Sequence, residues 1–402
     1  MMIVSGIILV ATLIVFGIGK IPIFRVDRAG AAIIGGALIM ATGVLTFNQA
    51  VQSVDFRTII LLFSMMIVTT SLKSAGFFRF IGNYLIKNLK TRKGFLFGVV
   101  ITSGLLSAFF INDIVCLILT PIVIIICKKE KIPPLPYLMA VATASNIGSA
   151  GTLLGNPQNI LIGSISNVSF FSYIVIAFPL AVVGLLINYL VISWFYRDLL
   201  EGDLTGGEPL RKGYHRYLLG KSLVVTLGIL AGFIVSKEPA IIASLGAAYL
   251  LVTRRLKPDK IYAGIDFNLL VMFIGLFVVM GGVEQSGLMN RIMEIFSFKS
   301  FRVFSILTIA LSNIFSNVPA VMLLKSFIPS DVSFWWIGLG VFSTLAGNLT
   351  VTGSVANLIV IETAKHEGIQ IKFLDYFKVG FPLTLLLTLI ALSYFTVIQN
   401  YL

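Results

Sequence analysis

Charge is scarce in this chain. Only 12% of its residues are Asp, Glu, Lys or Arg, against 57% hydrophobic ones, and the mean hydropathy is +1.00. An ordinary soluble domain carries about 25% charged residues, so a soluble fold is excluded. Cysteine is also rare. Cys116 and Cys127 lie on one apolar stretch. If that stretch is helical they are roughly 16 Å apart, too far to bridge, and both read as core. The two histidines, His215 and His366, fall in polar loops. No His/Glu spacing of the metal-ligand type and no Gly-x-Ser-x-Gly elbow occurs, so nothing points to an enzyme or a resident cofactor. The ten-residue alternation of barrel strands is absent too.

What is present is a series of apolar runs. They fall near 2–19, 29–46, 56–73, 94–127, 135–165, 171–195, 217–235, 240–253, 267–283, 300–328, 335–363 and 379–400. A spanning helix needs about 20 mostly apolar residues. The expected fold is therefore an all-α polytopic membrane protein. Residues 1–19 have no basic leader and no small-residue cleavage site, and are expected to be a retained span. The net charge of +13 is expected to sit in loops that fix topology, not on a nucleic-acid surface.

The chain repeats itself. Val54–Gly76 aligns without a gap on Ile265–Gly287. LSAFFIN (Leu106–Asn112) matches LSNIFSN (Leu311–Asn317). GNPQNILI (Gly155–Ile162) matches GSVANLIV (Gly353–Val360). Tyr173 and Phe178-Pro179-Leu180 match Tyr376 and Phe381-Pro382-Leu383. The expected organisation is a first repeat over 1–196, a cytoplasmic linker over 197–216 and a second repeat over 217–402.

Basic residues cluster in the loops around 20–28, 73–93, 128–131, 197–216, 254–260 and 365–378. The positive-inside rule places these loops in the cytoplasm of a cell that carries the protein in its plasma (inner) membrane. Segment 94–127 then has basic loops on both sides, so it enters and leaves by one face. It reads as a re-entrant helical hairpin, broken at Ile111-Asn112-Asp113. Its counterpart 300–328 breaks at Ser316-Asn317-Val318-Pro319. Each repeat then holds five crossings and one hairpin, the repeats have inverted topology, and both termini lie outside. Residues 76–90 and 287–299 read as interfacial helices.

Two further segments, 135–165 and 335–363, are broken by SNIGSAGTLLGNPQN (Ser145–Asn159) and GNLTVTGSVAN (Gly347–Asn357). Unpaired backbone in hydrocarbon costs several kcal/mol per group. Such breaks survive where they are buried in protein or face a watery cavity. Secondary transporters build midplane sites this way. Opened carbonyls suit a cation, and half-helix N-termini suit an anion. The blander reading is that small residues here only allow close helix packing.

No Lys or Arg falls at the four breaks. The expected substrate residues are Asn112, Asp113, Thr152, Asn156, Pro157, Ser316, Asn317, Thr352 and Ser354. An acid at this depth is a candidate for ion or proton carriage; Asp113 also suits a helix cap. Asp55 and Asp266 read as caps.

These segments resemble the ion transporter superfamily, which includes arsenite permeases, sodium/proton antiporters of the related type, citrate-metal transporters and divalent-anion/sodium symporters. INDIVCLILTPIVI (Ile111–Ile124) and LLFSMMIVTTSLKSAGFF (Leu61–Phe78) are similar to the arsenite permease branch. SNIGSAGTLLGNPQN is similar to the superfamily's Asn-Ile-Gly…Thr…Gly-x-Pro-x-Asn break. The resemblance implies a scaffold domain, a transport domain that moves like an elevator, and a homodimer. It implies one cation, Na+ in the symporter branch, near Asn112, Asn146 and Gly148, and a second near Asn317, Asn348 and Thr350, with Asp113 as a further ion-binding candidate. The symporter branch carries Ser-Asn-Thr at its tips. Here both Asn are kept and both Thr are lost. The expected function is secondary active transport of a small anion or a hydroxylated metalloid such as arsenite, coupled to H+ or Na+. A sodium/proton antiporter with Asp113 as carrier is the alternative.

Overall fold

The computed structural model describes residues 1–21, 25–206, 214–236, 238–253, 255, 257–296, 300–329 and 332–399. Of the basic loop residues, Arg211, Lys212 and Arg254 lie outside this set, as does part of the 197–216 linker. Every apolar run becomes helical. The first three runs form Met2–Ile18, Arg28–Ala41 and Phe56–Ala75, and their later counterparts form Arg216–Val235, Pro239–Leu251 and Phe267–Gln285. Six helices are long and apolar enough to cross a membrane among the described residues, the longest being Phe170–Phe195 and Phe373–Gln399. The protein is a helical integral membrane protein.

The expected interruptions are where the helices stop. Segment 94–127 is Arg92–Phe109 followed by Asn112–Glu130. Segment 300–328 is Phe301–Phe315, then Asn317–Leu324. Segment 135–165 divides into Leu135–Ser149 and Pro157–Ile165, and segment 335–363 into Ser333–Ala346 and Val355–His366. His366 thus ends a helix instead of lying in a loop. The short amphipathic helices are Phe77–Asn88 and Leu288–Ile295. Each follows a glycine with positive φ, Gly76 at 89° and Gly287 at 76°. Only glycine takes that conformation freely, and it lets the chain turn sharply out of the preceding helix.

Packing sorts the helices into two groups. In one, Arg28–Ala41 lies against Phe267–Gln285, and Pro239–Leu251 lies against Phe56–Ala75. Each half of the chain thus lends its second helix to the other half's third. In the other group, Arg92–Phe109 packs on Leu135–Ser149, and Phe301–Phe315 packs on Ser333–Ala346. Backbones come very close there. A Cβ on Gly148 would overlap the carbonyl of Gly104, so a small residue is obligatory at that crossing.

The caps are as expected. Asp55 Oδ1 accepts from the Arg57 amide at 3.0 Å, and Asp266 Oδ1 accepts from the Leu269 amide at 3.0 Å. Cys116 and Cys127 are buried and unbridged.

Candidate functional site

The two helix breaks stitch themselves together with Asn side chains. A broken helix leaves carbonyls without amide partners, and Asn can donate two hydrogens to them. Asn159 Nδ2 donates to the carbonyls of Ser149 and Thr152 at 3.1 and 2.9 Å. Asn357 Nδ2 donates to those of Gly347 and Thr350 at 2.7 and 3.1 Å. The register that pairs Gly155 with Gly353 also pairs each of these atoms with its partner in the other break.

The breaks also touch each other. Asn146 Nδ2 donates to Asn348 Oδ1 at 2.9 Å and to Asn357 Oδ1 at 3.0 Å. Asn156 Nδ2 donates to Thr344 Oγ1 at 2.9 Å, and Ser354 Oγ donates to Asn146 Oδ1 at 3.0 Å. In the same register Asn156 corresponds to Ser354 and Thr344 to Asn146, so these two contacts are exchanged copies of one contact. The first hairpin tip joins through Asn112 Nδ2, which donates to Asn146 Oδ1 at 3.1 Å. Its backbone amide donates to the Gly155 carbonyl at 2.9 Å.

A cavity of about 630 Å³ opens beside this network. Both hairpin tips reach it through Asn112, Asp113, Ser316 and Asn317. The helices that follow the breaks reach it with their first residues, Pro157 and Gln158 from one, Ser354 and Val355 from the other. Four helix N-termini therefore face one space, and each presents amide donors and the positive end of its dipole.

The cavity also holds charge. Asp27, Asp113, Asp266 and Glu362 line it, with a single cation, Arg28. Asp113 is within electrostatic reach of both Asp266 and Arg28. Arg28 Nε donates to the Phe16 carbonyl at 3.1 Å, which fixes the head group at the cavity wall. Asp113 lies in the first turn of Asn112–Glu130, yet the cap position is Ile111 and no side chain bonds there.

Six of the residues expected to meet substrate line this cavity: Asn112, Asp113, Pro157, Ser316, Asn317 and Ser354. Three lie outside its lining. Thr152 Oγ1 donates to the Ala108 carbonyl, Asn156 is spent on Thr344, and Thr352 is exposed beside Thr350. Among the expected ion residues, Asn112, Asn146 and Asn348 form one chain of hydrogen bonds. Thr350 Oγ1 faces Asn313 Oδ1 at 3.5 Å, and Gly148 packs on Gly104.

Sequence reasoning passed over Arg28, which it placed in a loop. It also passed over two hydroxyls. Among the described residues, Ser107 Oγ, Ser312 Oγ, Asn112 Oδ1 and Asn317 Oδ1 are buried oxygens without a protein partner. They form two matching pairs, since LSAFFIN aligns on LSNIFSN; that alignment was the signal available. Buried polar atoms are nearly always bonded. Uncharged oxygens of this kind suit a hard cation. No group of three His, Cys, Asp or Glu that could hold a metal ion occurs among the described residues.

A family model described as a citrate transporter matches residues 7–334. The rice silicon efflux transporter LSI3 is 28% identical, over 93% of each chain. The putative transporter arsB of Dictyostelium discoideum is 27% identical, over 91% of this chain and 86% of its own. The crystal structure of the Alcanivorax borkumensis YdaH transporter shares the fold, with a TM-score of 0.55 and 12% identity over 99% of this chain and 97% of the other.

Proposed function

Since the chain belongs to the citrate transporter family, within the ion transporter superfamily, we propose that it is a secondary active transporter of a small hydroxylated solute, driven by H+ or Na+. One observation carries this reading. Two hairpin tips and two post-break helix N-termini converge on one cavity of about 630 Å³.

The charge in that cavity narrows the substrate. Four carboxylates face one arginine. A multiply charged anion would be repelled there, and like charges brought together without a partner are costly. An uncharged acid that carries several hydroxyls, such as arsenous or silicic acid, meets donors at the helix N-termini and acceptors at the carboxylates. The rice relative is a silicon efflux transporter, which supports the same chemistry. Asn112, Asp113, Ser316, Asn317 and Ser354 would hold the solute. Ser107 with Asn112, and Ser312 with Asn317, would hold the coupling ion if it is Na+.

The exchanged hydrogen bonds of the two breaks support two repeats of inverted topology, with five crossings and a re-entrant hairpin in each. In that topology the cavity opens to the cytoplasm, next to the basic loops. Its counterpart on the outer side is nearly shut. There Arg57, Leu61, Ser164 and Glu238 surround a space of about 30 Å³. Arg57 stands where Asn268 stands in the open cavity, Leu61 where Met272 stands and Ser164 where Glu362 stands. Glu238 precedes its helix as Asp27 precedes its own. One open and one closed copy of the same surroundings is what alternating access requires. Movement of the hairpin group past the other helices, in a homodimer, would exchange them.

Proteoliposomes test the proposal. Uptake of arsenite and silicic acid should saturate and should respond to an imposed H+ or Na+ gradient, while citrate and phosphate compete weakly. Gradient-driven uptake of citrate or phosphate alone would overturn the substrate class. The carboxylate-rich cavity also favours a second reading, sodium/proton exchange with Asp113 as the carrier. Na+-driven proton release without any added solute would select it. In either case Asp113→Asn should flatten the pH dependence of transport, and an unchanged profile would remove Asp113 from the coupling step.

A further inference from the structure

A second, larger groove lies away from this site. It has a volume of about 1130 Å³ and runs between the end of helix Phe56–Ala75, the start of Phe77–Asn88 and one face of the hairpin helix Asn112–Glu130. Its floor is an apolar stripe. Leu117, Pro121 and Ile125 follow one another at four-residue intervals, and Leu117 and Ile125 are 48% and 44% exposed. At about 1.5 Å per residue this stripe is roughly 12 Å long. The next residue in the series is Lys129, which also lines the groove. Lys73, Arg79 and Lys260 line the groove as well, and the lining contains no carboxylate. Among the described residues no acid pairs with Lys73, Arg79 or Lys260, whereas the neighbouring Lys128 is tied to Glu367 at 2.5 Å.

An apolar track flanked by cations, of which Lys73, Arg79 and Lys260 have no acid partner among the described residues, matches one kind of occupant. We propose that the groove binds an anionic phospholipid, with an acyl chain along Leu117, Pro121 and Ile125 and the phosphate among Lys73, Arg79, Lys129 and Lys260. All four cations fall in the basic clusters that the positive-inside rule assigns to the cytoplasmic side, and anionic lipids concentrate in that leaflet. A soluble anion would make no use of the stripe. A neutral lipid would make no use of the cations. The occupant would touch the hairpin helix on one side and helix Phe56–Ala75 on the other, so it would bear on the seam between the two helix groups.

The test uses the full-length protein, delipidated in a non-ionic detergent. Dioleoylphosphatidylglycerol, dioleoylphosphatidylcholine, glycerol 3-phosphate and inorganic phosphate are added separately. Retained lipid is counted by native mass spectrometry and the unfolding midpoint is followed in parallel. Phosphatidylglycerol should be retained and should raise the midpoint, and the other three should do neither. Each cation near an anionic headgroup is worth about fivefold in affinity. The combined variant Lys73→Gln, Arg79→Gln, Lys260→Gln should therefore need about a hundredfold more phosphatidylglycerol. If that variant fails to fold, Lys260→Glu alone, on the exposed helix Pro258–Tyr262, should still weaken retention about tenfold or more. Equal retention of phosphatidylcholine, stabilisation by phosphate alone, or charge variants that bind as the parent does would each overturn the assignment. Because the readout is binding, it is independent of which solute is carried.

Discussion

Asn159 and Asn357 do the same work in different halves of the chain. Each sends its side-chain amide back to two carbonyls, ten and seven residues earlier, across a helix break. Both residues are fully buried. Each break therefore has its own internal lock, built from a side chain with two hydrogens to give.

Removing either lock should be costly. Asn159→Ala would leave the Ser149 and Thr152 carbonyls without the amide, and an unsatisfied buried group costs about 1–3 kcal/mol. Two such groups predict a loss of roughly 2–6 kcal/mol. Asn357→Ala should cost at least as much, since Asn357 Oδ1 also accepts from Asn146 Nδ2. Unfolding midpoints of the two purified variants are the measurement. A loss in one and none in the other would show that the breaks are not equivalent.

The tip asparagines call for the opposite outcome. Asn112 Nδ2 donates to Asn146 Oδ1, but that oxygen also accepts from Ser354. Asn146 thus keeps a donor when Asn112 is lost, and Asn112→Ala should cost only about 1 kcal/mol of stability. Coupling should suffer far more, because Asn112 Oδ1 is one of the unpartnered buried oxygens. Gradient-driven uptake is expected to fall at least tenfold, about 1.4 kcal/mol, in Asn112→Ala and in Asn317→Ala, with expression intact. Near-parental uptake in both would remove the cation site from the tips.

The helix breaks could be read from the sequence for a simple reason. Gly, Asn and Pro interrupt runs that are otherwise uniformly apolar, and the helices do stop at Phe109, Ser149, Phe315 and Ala346. Which polar groups would face the cavity could not be read in the same way. Thr152 and Asn156 looked like ligands because they are polar and deep, yet their polar atoms are used to satisfy neighbours on the helices around the break. Every buried carbonyl needs a donor, and that demand was invisible before the chain was folded. Arg28 was missed for the converse reason. Its loop looked like one more basic turn, and only tertiary packing brings it to the wall of the cavity beside Asp113. Ser107 and Ser312 were hidden inside apolar runs, where a hydroxyl normally bonds to the carbonyl four residues back. Here neither has a partner.

Ser316 is the one strained residue at the site. Its φ is 79° and its ψ is 158°, a region that essentially only glycine visits. Holding a serine there costs about 1–3 kcal/mol. Glycine would relieve that strain but would lose about 0.5–1 kcal/mol of its own through backbone entropy. Ser316→Gly should therefore stabilise the protein by about 1 kcal/mol, a gain visible in the unfolding midpoint. The same change removes a hydroxyl from the cavity, so the apparent KM for solute should rise as stability does. A variant that lost stability would mean that the tip is held by something other than its backbone.

Arg57 and Glu238 offer a way to move the conformational balance without touching the site. Their ion pair spans 3.3 Å across the small second pocket, with side chains 66% and 44% exposed. Exposed pairs contribute about 0.2–1 kcal/mol, so breaking this one should shift the population ratio by at most about fivefold. That is too little to unfold the protein and enough to detect. Ser164 also belongs to this pocket, where its hydroxyl donates to Asp55 Oδ2 at 2.6 Å. A cysteine at position 164, in a background where Cys116 and Cys127 are replaced by Ala, reports on opening through its reaction with a membrane-impermeant maleimide. Labelling should be slow with Glu238 in place and several-fold faster after Glu238→Ala. If the rate does not change, the Arg57–Glu238 pair is no part of the gate, and closure rests on the apolar contacts around Leu61 and Ala240.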